Sequence, residues 1–137
     1  MDSDDRSRDL IPPLSDAQLR HALTLTPEQR LEYFLEQALD HEVLWTLEQG
    51  GQPLLMRLED GREALPLFPR QEFAALEAAD ASEQPRLLEL EDFVESGLPD
   101  LGRRGLALGV FPVKGVAWIA EPAVLQQRIW NDWDEED

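Results

Sequence analysis

Residues 43–69 read VLWTL-EQGGQ-PLLMRL-EDGR-EALPLFP, three short apolar runs separated by two turn clusters. Gly50-Gly51 and Asp60-Gly61 are turn dipeptides, because both allow the positive φ angles that tight hairpins need. Three strands joined in this way predict an antiparallel meander. Its apolar faces need cover, and the flanking sequence supplies helical patterns on both sides.

Upstream, Ser15 with Gln18 three residues later forms a capping box, and Leu14 and Leu19 stand where a hydrophobic staple would place them. A helix over 16–24 follows, with Leu19, Ala22 and Leu23 on one face. Thr26 and Gln29 repeat the box, with Pro27 at the first helical position where its missing N–H does no harm. Leu31, Phe34, Leu35, Ala38 and Leu39 then make one amphipathic stripe.

Downstream, Gln71 to Ala79 predicts a helix with Phe73 and Leu76 inward, and Asp80 to Pro85 a surface loop. Leu87 to Leu90 is a short extended piece, and Glu91 to Leu101 a helix interrupted by Gly97 and Pro99. Gly105–Phe111 and Gly115–Ala120 form a second hairpin, apolar or small on both faces as interior strands are. A last helix starts at Pro122, with Leu125, Ile129 and Trp133 on one side, and frays into the acidic end. The fold class is α+β: an antiparallel sheet of about five strands, 43–48, 53–58, 63–68, 105–111 and 115–120, meander plus C-terminal hairpin, packed with four or five helices.

Length and composition set the organisation. The 137 residues make a single domain over 14–130, between a polar tail at 1–13, read as disordered, and an acidic tail at 131–137. The net charge is −17; the tails carry −2 and −5, which leaves −10 on the domain. Such a balance disfavours nucleic acid, whose phosphates need a basic surface, and anionic membranes. It suits a basic protein partner. There is no cysteine, so disulfides and thiolate metal sites are excluded, and a reducing cytoplasm is the simplest home. The start, MDSDDRSRDL, has no apolar h-region of a secretory signal, and no run reaches the roughly 18 apolar residues of a membrane span.

The helix-to-strand stretch LTPEQRLEYFLEQALDHEVLWTL at 25–47, the strand end LPLFP followed by EFA, the segment LEDFVESGLPDL at 90–101, and GVFP with its hairpin are similar to the bacterial family DUF2750. The resemblance covers residues 14–130 and rests on turns, strand ends and core aromatics. It implies a small cytosolic α+β domain with no assigned activity and no catalytic residues to carry over.

Signals for chemistry are sparse. Asp40, His41 and Glu42 are consecutive, so their side chains diverge. His41 suits a helix C-terminus, His21 sits in the first helix, and neither marks a metal site. The serines lack a nucleophile motif, and there is no phosphate loop. No cofactor is expected. Ala64–Pro69 and Ala107–Pro112 are similar six-residue runs that each end in Phe-Pro, and Pro66 inside the first makes it an edge strand there. Trp45 reads either as a core tryptophan or, with Phe68 and Arg70, as the wall of a groove open to strand addition. Trp130 and Trp133 stand beside the acidic end, where exposed tryptophans would make binding hot spots; Trp133 also completes the helix stripe. Two functions follow. The first is a non-enzymatic interaction module, adaptor or immunity-like, that turns an acidic surface to a basic protein. The second is a small-molecule binder or enzyme with a cleft near Trp45, Phe68, Arg70 and Trp118. The oligomeric state is not legible.

Overall fold

The computed structural model of the chain describes residues 12–136, so residues 1–11 of the 1–13 tail expected to be disordered lie outside the described residues. Helix α1 is Asp16–Leu23, opened by the Ser15–Gln18 capping box. Helix α2, Pro27–His41, is opened by the same box at Thr26 and Gln29 and closed by Glu42 in the left-handed region at φ 58°. Its stripe of Leu31, Phe34, Leu35, Ala38 and Leu39 is buried as a unit. Burial of each Leu or Phe contributes about 1.5–3 kcal/mol, so this face anchors the helix whatever its propensity.

The strands form two sheets rather than one. Strand β1 (Val43–Gln49) pairs antiparallel with β2 (Gln52–Pro53) through the Gly50-Gly51 turn, and on its other side with β5 (Glu83–Glu89). The second sheet runs β3-β4-β6-β7: Met56–Arg57, Glu63–Leu67, Ala107–Val113 and Val116–Ala120. The middle run of the meander therefore splits: Leu54 and Leu55 belong to neither strand, and β2 and β3 go to different sheets. A single antiparallel bridge joins the sheets, in which Trp45 N–H donates to Phe68 O at 3.0 Å and Phe68 N–H to Trp45 O at 2.8 Å.

Pro66 explains why the bridge goes no further. Backbone groups two residues apart point to the same side of a strand, so the N–H missing from Pro66 is the next donor that β4 would have offered β1. In its place Thr46 Oγ1 donates to the Pro66 carbonyl at 2.6 Å, and the sheets diverge. The edge character expected of Pro66 is thus confined to one side; on the other, β4 pairs with β6.

That pairing is parallel, where an all-antiparallel sheet was expected. Its register sets Ala64, Leu65, Pro66 and Leu67 beside Ala107, Leu108, Gly109 and Val110. The two similar six-residue runs lie side by side in step. Parallel neighbours meet the same layers above and below, so the same pattern suits both.

Strand β5 occupies residues read as a loop and a short extended piece. Its sequence, EQPRLLE, has no β-branched residue and contains a proline. Pro85 pairs with Leu47, whose carbonyl accepts from Leu54 N–H on the opposite side. Pro85 therefore sits at a non-hydrogen-bonded position with its ring nitrogen toward the free edge, where a proline is tolerated.

Helix α3 is Gln71–Glu77, two residues shorter than expected; Phe73 is buried, but Leu76 is exposed. Helix α4 is one continuous run, Leu90–Asp92, a π-helical stretch Phe93–Gly97, and Leu98–Arg103. Pro99 does not break it: the widened turn lets Leu98 N–H reach Phe93 O, the five-residue bond of a π-bulge. Helix α5 runs Pro122–Glu136, so helical backbone continues through residues assigned to a frayed tail. Its Leu125 and Ile129 are buried, and Trp133 packs against the core.

Candidate interaction edge

Strand β7 ends the four-stranded sheet, so one of its sides is unpaired. Its sequence, VAWIA, contains no charge and no proline. Val116 is 57% exposed, Trp118 38% and Ile119 41%. This corrects the expectation that both strands of the second hairpin are interior: β6 is buried along Ala107–Pro112, and β7 is not. The other long edge, β5, is blunted by Pro85 and by Glu83, Arg86 and Glu89, the usual protections against unwanted strand pairing. β7 has none of them.

Alternation places Trp118 beside Val110 on the core-facing side, and Ile119 beside Gly109 on the opposite face. The absence of a side chain at Gly109 is filled from β3: a Cβ there would stand 2.6 Å from Met56 Sδ. Met56, Leu58, Ala117 and Ile119 line a groove of about 450 Å³ between the β3–β4 hairpin and β7. Arg62 ties that hairpin to the far end of β7, pairing with Asp60 at 3.0 Å and with Glu121 at 2.8 Å.

A buried arginine holds the near end. Arg30 of α2 is 5% exposed, and its guanidinium donates to three carbonyls: Phe111 at 3.0 Å, Leu25 at 2.8 Å and Val116 at 2.8 Å. Phe111 sits at φ 50° within the irregularity between Val110 and Val113, a conformation that L side chains rarely adopt. The guanidinium also lies over its ring, 5.9 Å from the centroid. Burial lowers the Arg30 pKa, with Glu77 opposing. On the turn itself, the Glu77 carboxylate accepts from Lys114 N–H at 2.9 Å and Gly115 N–H at 3.1 Å. The start of β7 is therefore fixed from α2 and from α3.

The residues singled out from sequence fall in different places. Trp45 and Phe68 are buried in the bridge between the sheets. Arg70, 6% exposed, donates through Nη1 to Gln37 Oε1 at 3.3 Å and through Nη2 to the Pro12 carbonyl. Trp118 stands two strands away from Phe68, at the sheet edge. Of these four, Trp45 and Phe68 are engaged in joining the sheets, and Arg70 and Trp118 lie on separate parts of the fold. Trp130 is 42% exposed on α5, and Trp133 is half-buried. Among the described residues no group of three or more His, Asp or Glu side chains is placed to hold a metal ion. No described helix is long and apolar enough to cross a membrane.

The edge residues Val116 and Ile119, and the clamp Arg30, were not singled out from sequence. An uncharged five-residue run was legible there; its position at the end of a sheet was not. No curated protein matches the chain. The family described as a protein of unknown function, DUF2750, matches residues 31–129, across both sheets and the helices that carry the β7 edge, and the chain belongs to that family.

Proposed function

We propose that this domain is a non-enzymatic, cytosolic protein-interaction module, of adaptor or immunity type, that takes an extended basic segment of another protein along β7. The observation that carries the reading is the free edge of β7, apolar on both faces and without the charges or proline that protect β5. Strand addition uses the unpaired backbone for affinity and side-chain alternation for specificity. Charge selects the occupant. A second copy would bring another −17 to the interface, whereas a basic segment meets a complementary field. Arg62, Arg86, Arg103, Arg104 and Arg128 already stand beside Asp or Glu, so they present little free positive charge to repel a basic segment.

The test is capture from a cell lysate at low and moderate salt, with the full chain and with the full chain carrying Ile119→Lys. The reading requires a basic protein that wild type retains, that salt weakens, and that the substitution releases while the melting temperature holds. Equal capture by both chains refutes the edge. A wild-type dimer that Ile119→Lys dissociates would assign β7 to self-association instead.

A further inference from the structure

A second cavity, of about 300 Å³, lies where α1, α2 and the segment entering α1 meet. Its polar lining is Gln18, His21, Tyr33, Gln37, His41 and Arg70. Both histidines of the chain and one of its buried arginines converge there, from three separate parts of the sequence. No Asp or Glu lines it, although the chain has 29 of them. The other cavities described each include acids: Glu89 and Asp92, Glu77 and Glu83, or Glu59 and Asp60. The hollow is lined by one guanidinium, two imidazoles and neutral polar groups, with no carboxylate in its lining, in an acidic molecule.

Arg70 is held there by its position. It follows the buried Phe68-Pro69 end of the β4 segment and is the N-cap residue of α3, so its backbone is fixed on both sides. Its guanidinium is bonded to a neutral amide and a main-chain carbonyl, with the Glu72 carboxylate 3.6 Å from Nη2. Glu72 is itself engaged, accepting from Leu14 N–H at 2.9 Å. The Pro12 carbonyl thus occupies a place that the oxygen of an anion would take more strongly, because guanidinium binds carboxylate and phosphate through two parallel charge-assisted bonds. The Tyr33 ring is braced edge-on against Phe73, with centroids 6.1 Å apart, and tilted against Phe111 at 5.8 Å. A braced ring offers its hydroxyl at a defined place. Burial raises the Tyr33 pKa, and burial followed by Arg70 lowers that of His41, so both face the hollow uncharged at neutral pH and able to donate.

We infer that this cavity binds a small molecule bearing a carboxylate or a phosphate group, with its anionic oxygens on Arg70 and its remainder against His21, His41, Tyr33 and Gln18. The volume is at the lower end of small-ligand sites and suits a metabolite rather than a polymer. The inference shares no residue with the β7 edge and stands if that reading fails.

The two histidines give the test a direct readout, because the ring Cε1 protons of His21 and His41 are the only such pair in the chain. The folded full chain is titrated by NMR with inorganic phosphate, with succinate, and with succinamide as the uncharged control. Phosphate or succinate is expected to shift both resonances saturably below about 10 mM, and succinamide to leave them in place. The first two arms distinguish the anion's source. Arg70→Gln should weaken the effective anion about ten-fold or more, the loss of a hydrogen bond to a charged group. Should that variant unfold, the exposed His21→Ala serves in its place, with a smaller loss read at His41. No saturable shift with either anion, equal shifts with succinamide, or unchanged affinity in the variants would overturn the assignment.

Discussion

Replacement of Arg30 by methionine tests whether the β6–β7 turn is held from α2. Methionine keeps an unbranched apolar stem and deletes three charge-assisted hydrogen bonds. The three carbonyls do not count equally. Phe111 is fully buried, so its carbonyl loses a charge-assisted donor that water cannot readily replace, at a cost of about 1–3 kcal/mol. Leu25 is half-buried and Val116 exposed, so water can take over much of their bonding. Loss of the bonds to a charged donor adds to the cost, and release of the buried guanidinium from desolvation subtracts from it. The net expectation is a loss of about 3 kcal/mol. Urea unfolding followed by tryptophan fluorescence measures it as a lower midpoint at unchanged slope. Arg30→Lys should recover little, since one ammonium cannot span three divergent acceptors. A loss below about 1 kcal/mol for Arg30→Met, or full rescue by lysine, would refute the clamp.

Other expectations follow from single sites. Gly97→Ala places a Cβ 2.9 Å from the buried Phe93 ring, so it should destabilise by about 1 kcal/mol even though alanine is the better helix former; a gain in urea midpoint would show that the ring can move. His41 should titrate below its ordinary value, with burial the first cause, Arg70 the second and Asp40 opposing. A lowered folded pKa means that the fold favours the neutral ring, so this contribution is full above about pH 6.5 and is lost as pH falls toward the folded value. NMR titration reads it directly: the His41 pKa should rise in Arg70→Gln, and a pKa at or above that of an exposed histidine would contradict the burial. Phe34→Ala removes a fully buried ring from the α2 stripe and should cost about 3–5 kcal/mol by urea unfolding; a cost below about 1 kcal/mol would mean that the core collapses around the gap.

Features set by neighbouring residues were legible in the sequence. The two capping boxes need only Ser15 with Gln18 and Thr26 with Gln29, and both formed. The turns at Gly50-Gly51 and Gly61 needed positive φ, and all three glycines adopt it. Features set by distant partners were not. β5 exists because β1 pairs along its whole length, which EQPRLLE alone does not reveal. The likeness of 64–69 to 107–112 was visible, but their parallel register depends on α3, β5 and α4 carrying the chain back to the same end of the sheet. Arg30 looks like one more solvated helix residue until Phe111, 81 positions away, supplies its acceptor. Arg70 was singled out, but not with Gln18, His21, Tyr33, Gln37 and His41, which line a cavity with it and precede the sheet in sequence. The histidines were set aside because consecutive Asp40, His41 and Glu42 diverge; that remains true, and what faces His41 comes from other elements.

A basic strand docked on β7 would pair with the backbone groups of its open side. Amide hydrogen exchange across Val116–Ala120, measured on the free chain and on its complex with the captured basic protein, tests it most directly. Strand addition predicts slowed exchange at the β7 amides on the unpaired side, and none specific to α5 around Trp130. Protection confined to other elements, with β7 exchange unchanged, would contradict it.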